Sequence, residues 1–477
     1  MSAKGPFCFI APLGPCAVCG ESGRACSKCR VDYYCGKEHQ KAHWPQHRAG
    51  CGSVALRGGA LVAAKNIPAG TAIMREQPSV AFPASFHAFA QVKSMTDCSL
   101  MCHVDARQAP SLKVLCVGCC IDLDRWLSQC RRCGLPVCSD ACSRSVDHQV
   151  ECQIFQRAKF VVPKAHLRNA DIPLGVVVAT LRTATACASN SLLQHLKPET
   201  VFSENAPKMS PWIGVTTKLA ARVVRYLRQN ARIKWLSERD LERAARLATA
   251  FGTVTATEEG MPGFLGVLYA GMSLRNHSCF PNSADVTKTP GTRELLAVTT
   301  KDVVAGDFIT VSRECGNWVD STYDRRQSVL IRWGFICGCE RCVDTTELGM
   351  YVGSPCCADC AGQGKQCYVL PVDDHHSSWR CWACNKTMTS SQVNDLTTAA
   401  KIKLAQLRGS SPDQLLKFIE DSVYPRGLLH PSHSVMLHAK EAFRAKFWHP
   451  MAEDFIMQVG ADRWKDVIRE QLRVWTD

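Results

Sequence analysis

The sequence predicts an α+β multidomain fold, and three features of its 477 residues carry that prediction. Short apolar runs broken by Gly, Pro and Asp at 54–82, and again at 295–312, read as strands and turns. The stretch 153–260 and the region from about 388 onward carry helical patterns instead. Cysteine and histidine recur in clusters at metal-ligand spacing, too regular for scattered core thiols. The length suits about three domains of roughly 150 residues each, and 46% apolar against 21% charged content allows real cores.

No apolar run approaches the roughly 18–20 residues of a membrane span. The longest, Ile172 to Leu181, contains Pro173 and Gly175 and reads as a buried helix, so no membrane partner is expected. The opening Met1-Ser2-Ala3-Lys4-Gly5-Pro6 lacks the apolar core of a secretory leader, and an intracellular chain is expected. In a reducing compartment 29 cysteines argue for metal binding over disulfides. The formal charge of +14 counts those thiols as neutral. Six Zn2+ held by 21 thiolates would bring it to about +5, which weakens any charge argument for nucleic acid.

Taken in order, Cys16-x2-Cys19, Cys26-x2-Cys29, Cys35-x3-His39 and His47-x3-Cys51 place eight candidate ligands within 36 residues. That matches two four-coordinate zinc sites, the stabilisation a small, core-poor module needs. The pattern returns at 116–152 as an internal repeat: Cys116-x2-Cys119, Cys130-x2-Cys133, Cys138-x3-Cys142 and His148-x3-Cys152. His43 falls outside the first pattern and reads as a surface residue. Cys98, Cys102 and Cys120 read as ordinary buried thiols. In the helical stretch, Leu219, Val223, Tyr226 and Leu227 form one face, while Arg222, Arg225, Arg228 and Arg232 form a solvated one. Further on, Cys337-Gly338-Cys339-Glu340-Arg341-Cys342 is one thiolate short of a tetrahedral site. Cys279, in Leu274-Arg275-Asn276-His277-Ser278-Cys279-Phe280-Pro281-Asn282, can supply it. Cys357-x2-Cys360 and Cys381-x2-Cys384 make a ribbon-like sixth site, with Cys356 as an alternative first ligand and Cys367 free. Ser411-Pro412-Asp413 starts a helix.

Several of these stretches resemble known families. Tyr33-Tyr34-Cys35 through His47 resembles a MYND zinc finger. Arg57-Gly58-Gly59-Ala60-Leu61-Val62-Ala63 with Ile67-Pro68-Ala69-Gly70 resembles the opening strands of a SET domain. The run from Leu268 through Asn282, the strands at 295–298 and 308–312, and Phe335-x-Cys337-x-Cys339-x2-Cys342 resemble the catalytic half and post-SET segment of the SMYD (SET and MYND) family. Two MYND-like modules, one inside a split SET domain, look most like the arthropod SmydA branch. The resemblance implies a MYND finger at 16–51 and a split SET β-fold over 54–345, with the second module at 116–152 and a helical insert at 153–260. It further implies a post-SET and ribbon segment at 337–385 and a helical C-terminal domain at 388–477.

The resemblance also implies roles. Interleaved ligands would put Cys16, Cys19, Cys35 and His39 on one ion and Cys26, Cys29, His47 and Cys51 on a second. Cys116, Cys119, Cys138 and Cys142 would hold a third, and Cys130, Cys133, His148 and Cys152 a fourth. All six zincs would be structural. Asn276 and His277 would hold the amino end of S-adenosylmethionine, Arg57 with the backbone at Gly58 and Gly59 would face its carboxylate, and Phe335 would pack on adenine. The family's usual tyrosine after the Ile-Thr-x-Ser strand is Arg313 here, and a second usual tyrosine is Trp333. Tyr323 lies ten residues past Arg313. No catalytic residue is assigned, because a guanidinium stays charged at all working pH.

The implied function is S-adenosylmethionine-dependent protein-lysine N-methylation, a histone being one candidate substrate, with peptide partners on the MYND module, in nucleus and cytoplasm. One alternative is a catalytically weak or inactive SET and MYND scaffold in transcriptional regulation. A DNA-binding zinc protein is the other. MYND spacing lacks the recognition helix of major-groove fingers, so direct nucleic-acid binding is not expected.

Overall fold

The structure is a computed structural model that describes residues 13–84, 114–123, 128–168, 174–196, 211–256, 264–287, 293–313, 317–373, 376–407 and 409–447. Cys98 and Cys102, parts of the insert and residues 448–477 lie outside these. The chain divides into two compact units, one formed by residues 1–313 with 330–335, the other by 314–329 with 336–477. No helix among the described residues is long and apolar enough to cross a membrane.

The first unit opens with a small antiparallel sheet, β1 (Leu13–Pro15), β2 (Ser22–Ala25) and β3 (Tyr33–Tyr34), and two short helices, α1 (Lys37–Ala42) and α2 (Trp44–His47). Four strands follow, β4 (Val54–Arg57), β5 (Ala60–Ala63), β6 (Ala72–Glu76) and β7 (Val80–Pro83), of which β4 and β5 form a hairpin. Arg57 pairs with Ala60, so β4 and β5 join through the two residues Gly58 and Gly59. Their φ values of +58° and +86° are those of a two-residue hairpin turn that only glycine adopts freely. Helices α3 (Asp140–Ser143) and α4 (Val146–Arg157) belong to the second cysteine-rich module. The insert then supplies α5 (Leu174–Ser189), α6 (Ser191–His195), α7 (Pro211–Arg225) and α8 (Glu238–Phe251). Buried Val176 to Thr183 make α5 the central helix, packed against α8, as its apolar composition requires.

The chain returns to strands in β8 (Thr253–Ala256), β9 (Phe264–Leu268), β10 (Asn276–His277), β11 (Ser283–Thr287), β12 (Leu295–Thr299) and β13 (Thr310–Val311). These complete small sheets in the orders β7-β9-β8, β11-β12-β6 and β10-β13, the last pair parallel. One core joins Leu61, Ile73, Met74, Phe82, Leu193, Leu247, Phe251, Val267 and Ile309. A second joins the thiols of the repeat to Phe155, Leu181, Val223 and Leu227.

The arginine face of the insert departs from expectation. The α-helix ends at Arg225 in a π turn over Tyr226–Asn230, and Arg232 lies beyond it at φ +55°. Arg228 turns inward, donating to the Ile233 carbonyl at 2.8 Å and pairing with Glu238 at 3.4 Å. It caps the turn, and the solvated face is shorter than the periodicity suggests.

The second unit holds most of α9 (Thr322–Trp333), α10 (Glu340–Val343) and α11 (Ala358–Gly362). The antiparallel sheet β14 (Val369–Pro371), β15 (Ser378–Cys381) and β16 (Thr387–Thr389) forms the ribbon. Three helices close the described chain: α12 (Ser390–Gln406), α13 (Pro412–Ser422) and α14 (Ser434–Phe447). Ser411 caps α13 with a reciprocal Gln414 bond and Pro412 in the first turn.

Candidate functional site

Zn–S bonds of about 2.3 Å place tetrahedral ligand atoms about 3.8 Å apart. The thiol pairs fit that edge. Cys19 and Cys35 Sγ lie 3.7 Å apart, Cys26 and Cys51 3.9 Å, Cys119 and Cys138 3.6 Å, and Cys130 and Cys152 3.9 Å. Histidine completes three of these groups: His39 Nδ1 is 3.5 Å from Cys16 Sγ and 3.0 Å from Cys35 Sγ, His47 Nε2 3.4 Å from Cys29, and His148 Nε2 3.7 Å from Cys133. The ligand atoms of Cys16, Cys19, Cys35 and His39 lie within 4.8 Å of one another. So do those of Cys26, Cys29, His47 and Cys51, of Cys116, Cys119, Cys138 and Cys142, and of Cys130, Cys133, His148 and Cys152. The ribbon pairs Cys357 with Cys384 at 3.6 Å and Cys360 with Cys381 at 3.8 Å, and buried Cys356 stands outside both pairs.

Neighbouring residues orient these ligands. His47 Nδ1 faces Asp32 Oδ2 at 2.8 Å, and His148 Nδ1 faces Glu151 Oε1 at 2.9 Å. A carboxylate there fixes the tautomer that leaves Nε2 free for metal. Glu151 is fully buried and accepts from Arg182 Nε and Nη2 at 2.8 and 2.7 Å, while Arg182 also donates to the Ala81 and Val117 carbonyls. One arginine thus ties the second module to α5 and β7. Without metal the thiols share protons unevenly. A hydrogen bond from Cys29 holds Cys26 down at about 3, and the same bond pushes Cys29 up. His43 differs from the expected surface residue: it is half-buried, 2.9 Å from the Tyr34 hydroxyl and stacked on His47. Cys120 is buried at φ +65°, apart from the ligand groups.

The loop at 271–283 is held from every side. Buried Glu76 accepts from the Gly271 and Met272 amides at 2.9 and 2.7 Å. Arg275, also buried, pairs with Asp285 at 2.7 Å. Asn282 exchanges bonds with Thr310 and donates to the Phe308 carbonyl at 2.9 Å. Segment 307–311 is the common rail: Leu61 O accepts from Ile309 N on one side, and Ile309 O accepts from Asn276 N on the other. The Gly58–Gly59 turn and Asn276-His277 are therefore carried by strands bonded to the same segment. Arg57 and Asn276 are exposed, and His277 and Phe335 are half-buried with ring centroids 6.0 Å apart. His277 Nδ1 accepts from the Arg313 amide at 3.2 Å, which leaves its Nε2–H toward Cys279 Sγ at 3.4 Å. Cys279 is buried in the first unit, and Cys337, Cys339 and Cys342 belong to the second.

Arg313 points inward. Its Nη2 donates to the carbonyls of Ser273 at 2.8 Å and Arg275 at 2.6 Å. Its guanidinium carbon sits 5.5 Å from the Phe251 ring centre and 5.1 Å from that of Trp333. Burial and the Arg275 charge lower its pKa to about 10, which leaves it a cation at neutral pH. Trp333 packs against Phe251, ring centroids 6.2 Å apart, and Tyr323 is exposed in the second unit.

The MYND finger family matches residues 16–51. Over 345 residues the chain is 24% identical to SET domain-containing protein SmydA-8, isoform B, of Drosophila melanogaster, covering 71% of this chain and 67% of that protein. Over 74 residues it is 35% identical to histone-lysine N-methyltransferase SET5 of Meyerozyma guilliermondii, 15% of each chain. Among solved structures, the SET domain of LSMT bound to lysine and AdoHcy covers 88% of this chain and 87% of its own at 11% identity. Its TM-score is 0.29.

The strand order and paired finger modules define an α+β protein that joins a split SET β-fold to MYND-type zinc modules. Residues 16–51 form a MYND finger, and over 71% of its length the chain is similar to the SmydA-8 protein.

Sequence reasoning missed Glu76, Arg275, Phe251, Asp32, Glu151 and Arg182. Asp32 and Glu151 carried a readable signal, since each lies inside a ligand cluster. The others find partners 10 to 196 residues away, at separations that no ligand-type spacing displays.

Proposed function

We propose that this chain is a SET and MYND protein of the S-adenosylmethionine-dependent lysine methyltransferase class in which the donor pocket is kept and methyl transfer is suppressed. In this reading it serves mainly as an interaction scaffold, in nucleus and cytoplasm. The observation that carries it is the inward Arg313 guanidinium, set against the contacting Phe251 and Trp333 rings and bonded to Ser273 O and Arg275 O. The methyl donor supplies a sulfonium methyl group, and a neutral lysine amine attacks it in line. Positive charge then moves from sulfur to nitrogen. Two unit charges about 5 Å apart interact by ~3 kcal/mol at an effective dielectric of ~20; only the part of that repulsion that grows as charge moves to nitrogen raises the barrier, so about 10²-fold in rate is its upper bound. A guanidinium where the family has a tyrosine hydroxyl opposes that shift.

Donor binding rests on other residues. In this reading exposed Asn276 and Arg57, the Gly58–Gly59 turn and the His277–Phe335 ring pair hold S-adenosylmethionine. About six structural zincs complete the account. His277 Nε2–H, 3.4 Å from Cys279 Sγ, donates to that thiolate and steadies the donor loop. Peptides are the expected partners of the MYND module. Calorimetry of the zinc-loaded chain with S-adenosylmethionine tests this reading. Saturable binding that Asn276→Ala weakens about tenfold is expected; a fully loaded chain that binds no donor overturns it. The second reading, active methylation of a protein lysine, draws support from the stretch similar to a protein named histone-lysine N-methyltransferase.

A further inference from the structure

Within the second unit a cleft of about 170 Å³ opens between the first turn of α9, one face of α12, Trp379 on β15 and the segment before α14. Cofactor-sized pockets run to ~300–1,000 Å³, so this one has room for a side-chain-sized group. Thr322, Trp379, Val393 and His433 are buried and form its inner wall; Tyr323, Asn394, Thr398 and Lys401 are exposed at its mouth.

His433 decides what chemistry fits. The ring is fully buried, and its Nδ1 accepts from the Val435 amide at 3.2 Å. The proton therefore sits on Nε2, and that buried N–H finds no acceptor among the described residues. Burial, aided by the Lys401 charge, keeps the ring neutral with a pKa of about 3. A ligand has to bring an acceptor oxygen. It need not bring charge, because Lys401 is already paired with Asp324 at 2.9 Å. Asp324 is also held by the Ser321 hydroxyl at 2.8 Å, and it would repel a carboxylate. Trp379 and Val393 favour an alkyl stem beside the acceptor.

We propose that this cleft binds an uncharged secondary amide on an alkyl stem, such as an acylated lysine side chain, whose carbonyl oxygen accepts from His433 Nε2–H. The site is separate from the donor loop, and its test does not depend on methyl transfer.

The test uses the zinc-loaded full chain with 15N-labelled histidine. The probes are doubly blocked Nε-acetyl-lysine, N-butylacetamide, blocked unmodified lysine and glutarate. The two amides are expected to bind and move the His433 Nε2–H resonance downfield, and their relative affinity tells a protein-borne acyl group from a free amide. Thr398→Trp, which fills the exposed mouth, should abolish the shift, and His433→Phe should weaken amide binding about tenfold. The Thr398 variant serves if the buried one misfolds. Amides that leave the resonance unmoved, or glutarate binding more tightly than either, overturn the proposal.

Discussion

Arg313 and Glu76 show how single buried charges set the character of the donor loop. Arg313 rests against the contacting rings of Phe251 and Trp333, and its Nη2 donates to two carbonyls, which hold the guanidinium inward. Glu76 braces the same loop from below. Burial raises its pKa from 4.5 to about 7, against the two amides that favour its charged form. The folded state then holds a proton that the unfolded chain releases above about pH 4.5. The associated stability is complete below that value and lost as pH rises through about 7, on the order of 3 kcal/mol. Glu76→Gln cannot titrate. Denaturant unfolding of both proteins from pH 5 to 8 should show wild type losing stability relative to the variant. Parallel pH profiles would refute this reading.

Elements show what the sequence displayed and what it hid. Ligand spacing at i+3 and i+4 is local, so both finger modules and the ribbon were readable before any coordinates. The Gly58–Gly59 turn was readable for the same reason, since two consecutive glycines between apolar runs have few other uses. What stayed hidden was non-local. No spacing links Arg182 on α5 to Glu151 on α4, or Glu76 on β6 to the amides of Gly271 and Met272. The arginine face is solvated at Arg222, Arg225 and Arg232, and is interrupted at Arg228, which lies in the π turn that ends the helix. The Arg182 link has a measurable consequence. Arg182→Met would strand buried Glu151, a loss of about 3–5 kcal/mol. A zinc-release titration should show one equivalent leaving at lower chelator concentration, from the site holding His148. Unchanged release from all sites would make the network incidental.

Across the whole molecule, small sheets and short helices depend on metal where the apolar cores do not reach. Two extended cores serve the SET-like strands and the insert, while the first finger buries a small apolar set, Cys16, Cys26, Val31, Tyr33, Tyr34 and Cys51. Metal analysis of the purified chain should give about six zincs. A content clearly below four would remove the two-finger account. Chelation should unfold residues 16–51, seen as proteolysis at that end, before the strand cores yield.

The central claim is that the fold keeps a methyl-donor site and that Arg313 suppresses transfer. Tritiated methyl transfer from S-adenosylmethionine to histones and cell lysate, wild type beside Arg313→Tyr, tests it most directly. The account predicts near-background transfer by wild type and a gain of up to about 10²-fold in the variant at equal donor affinity. Wild-type turnover equal to or faster than that of Arg313→Tyr would contradict it.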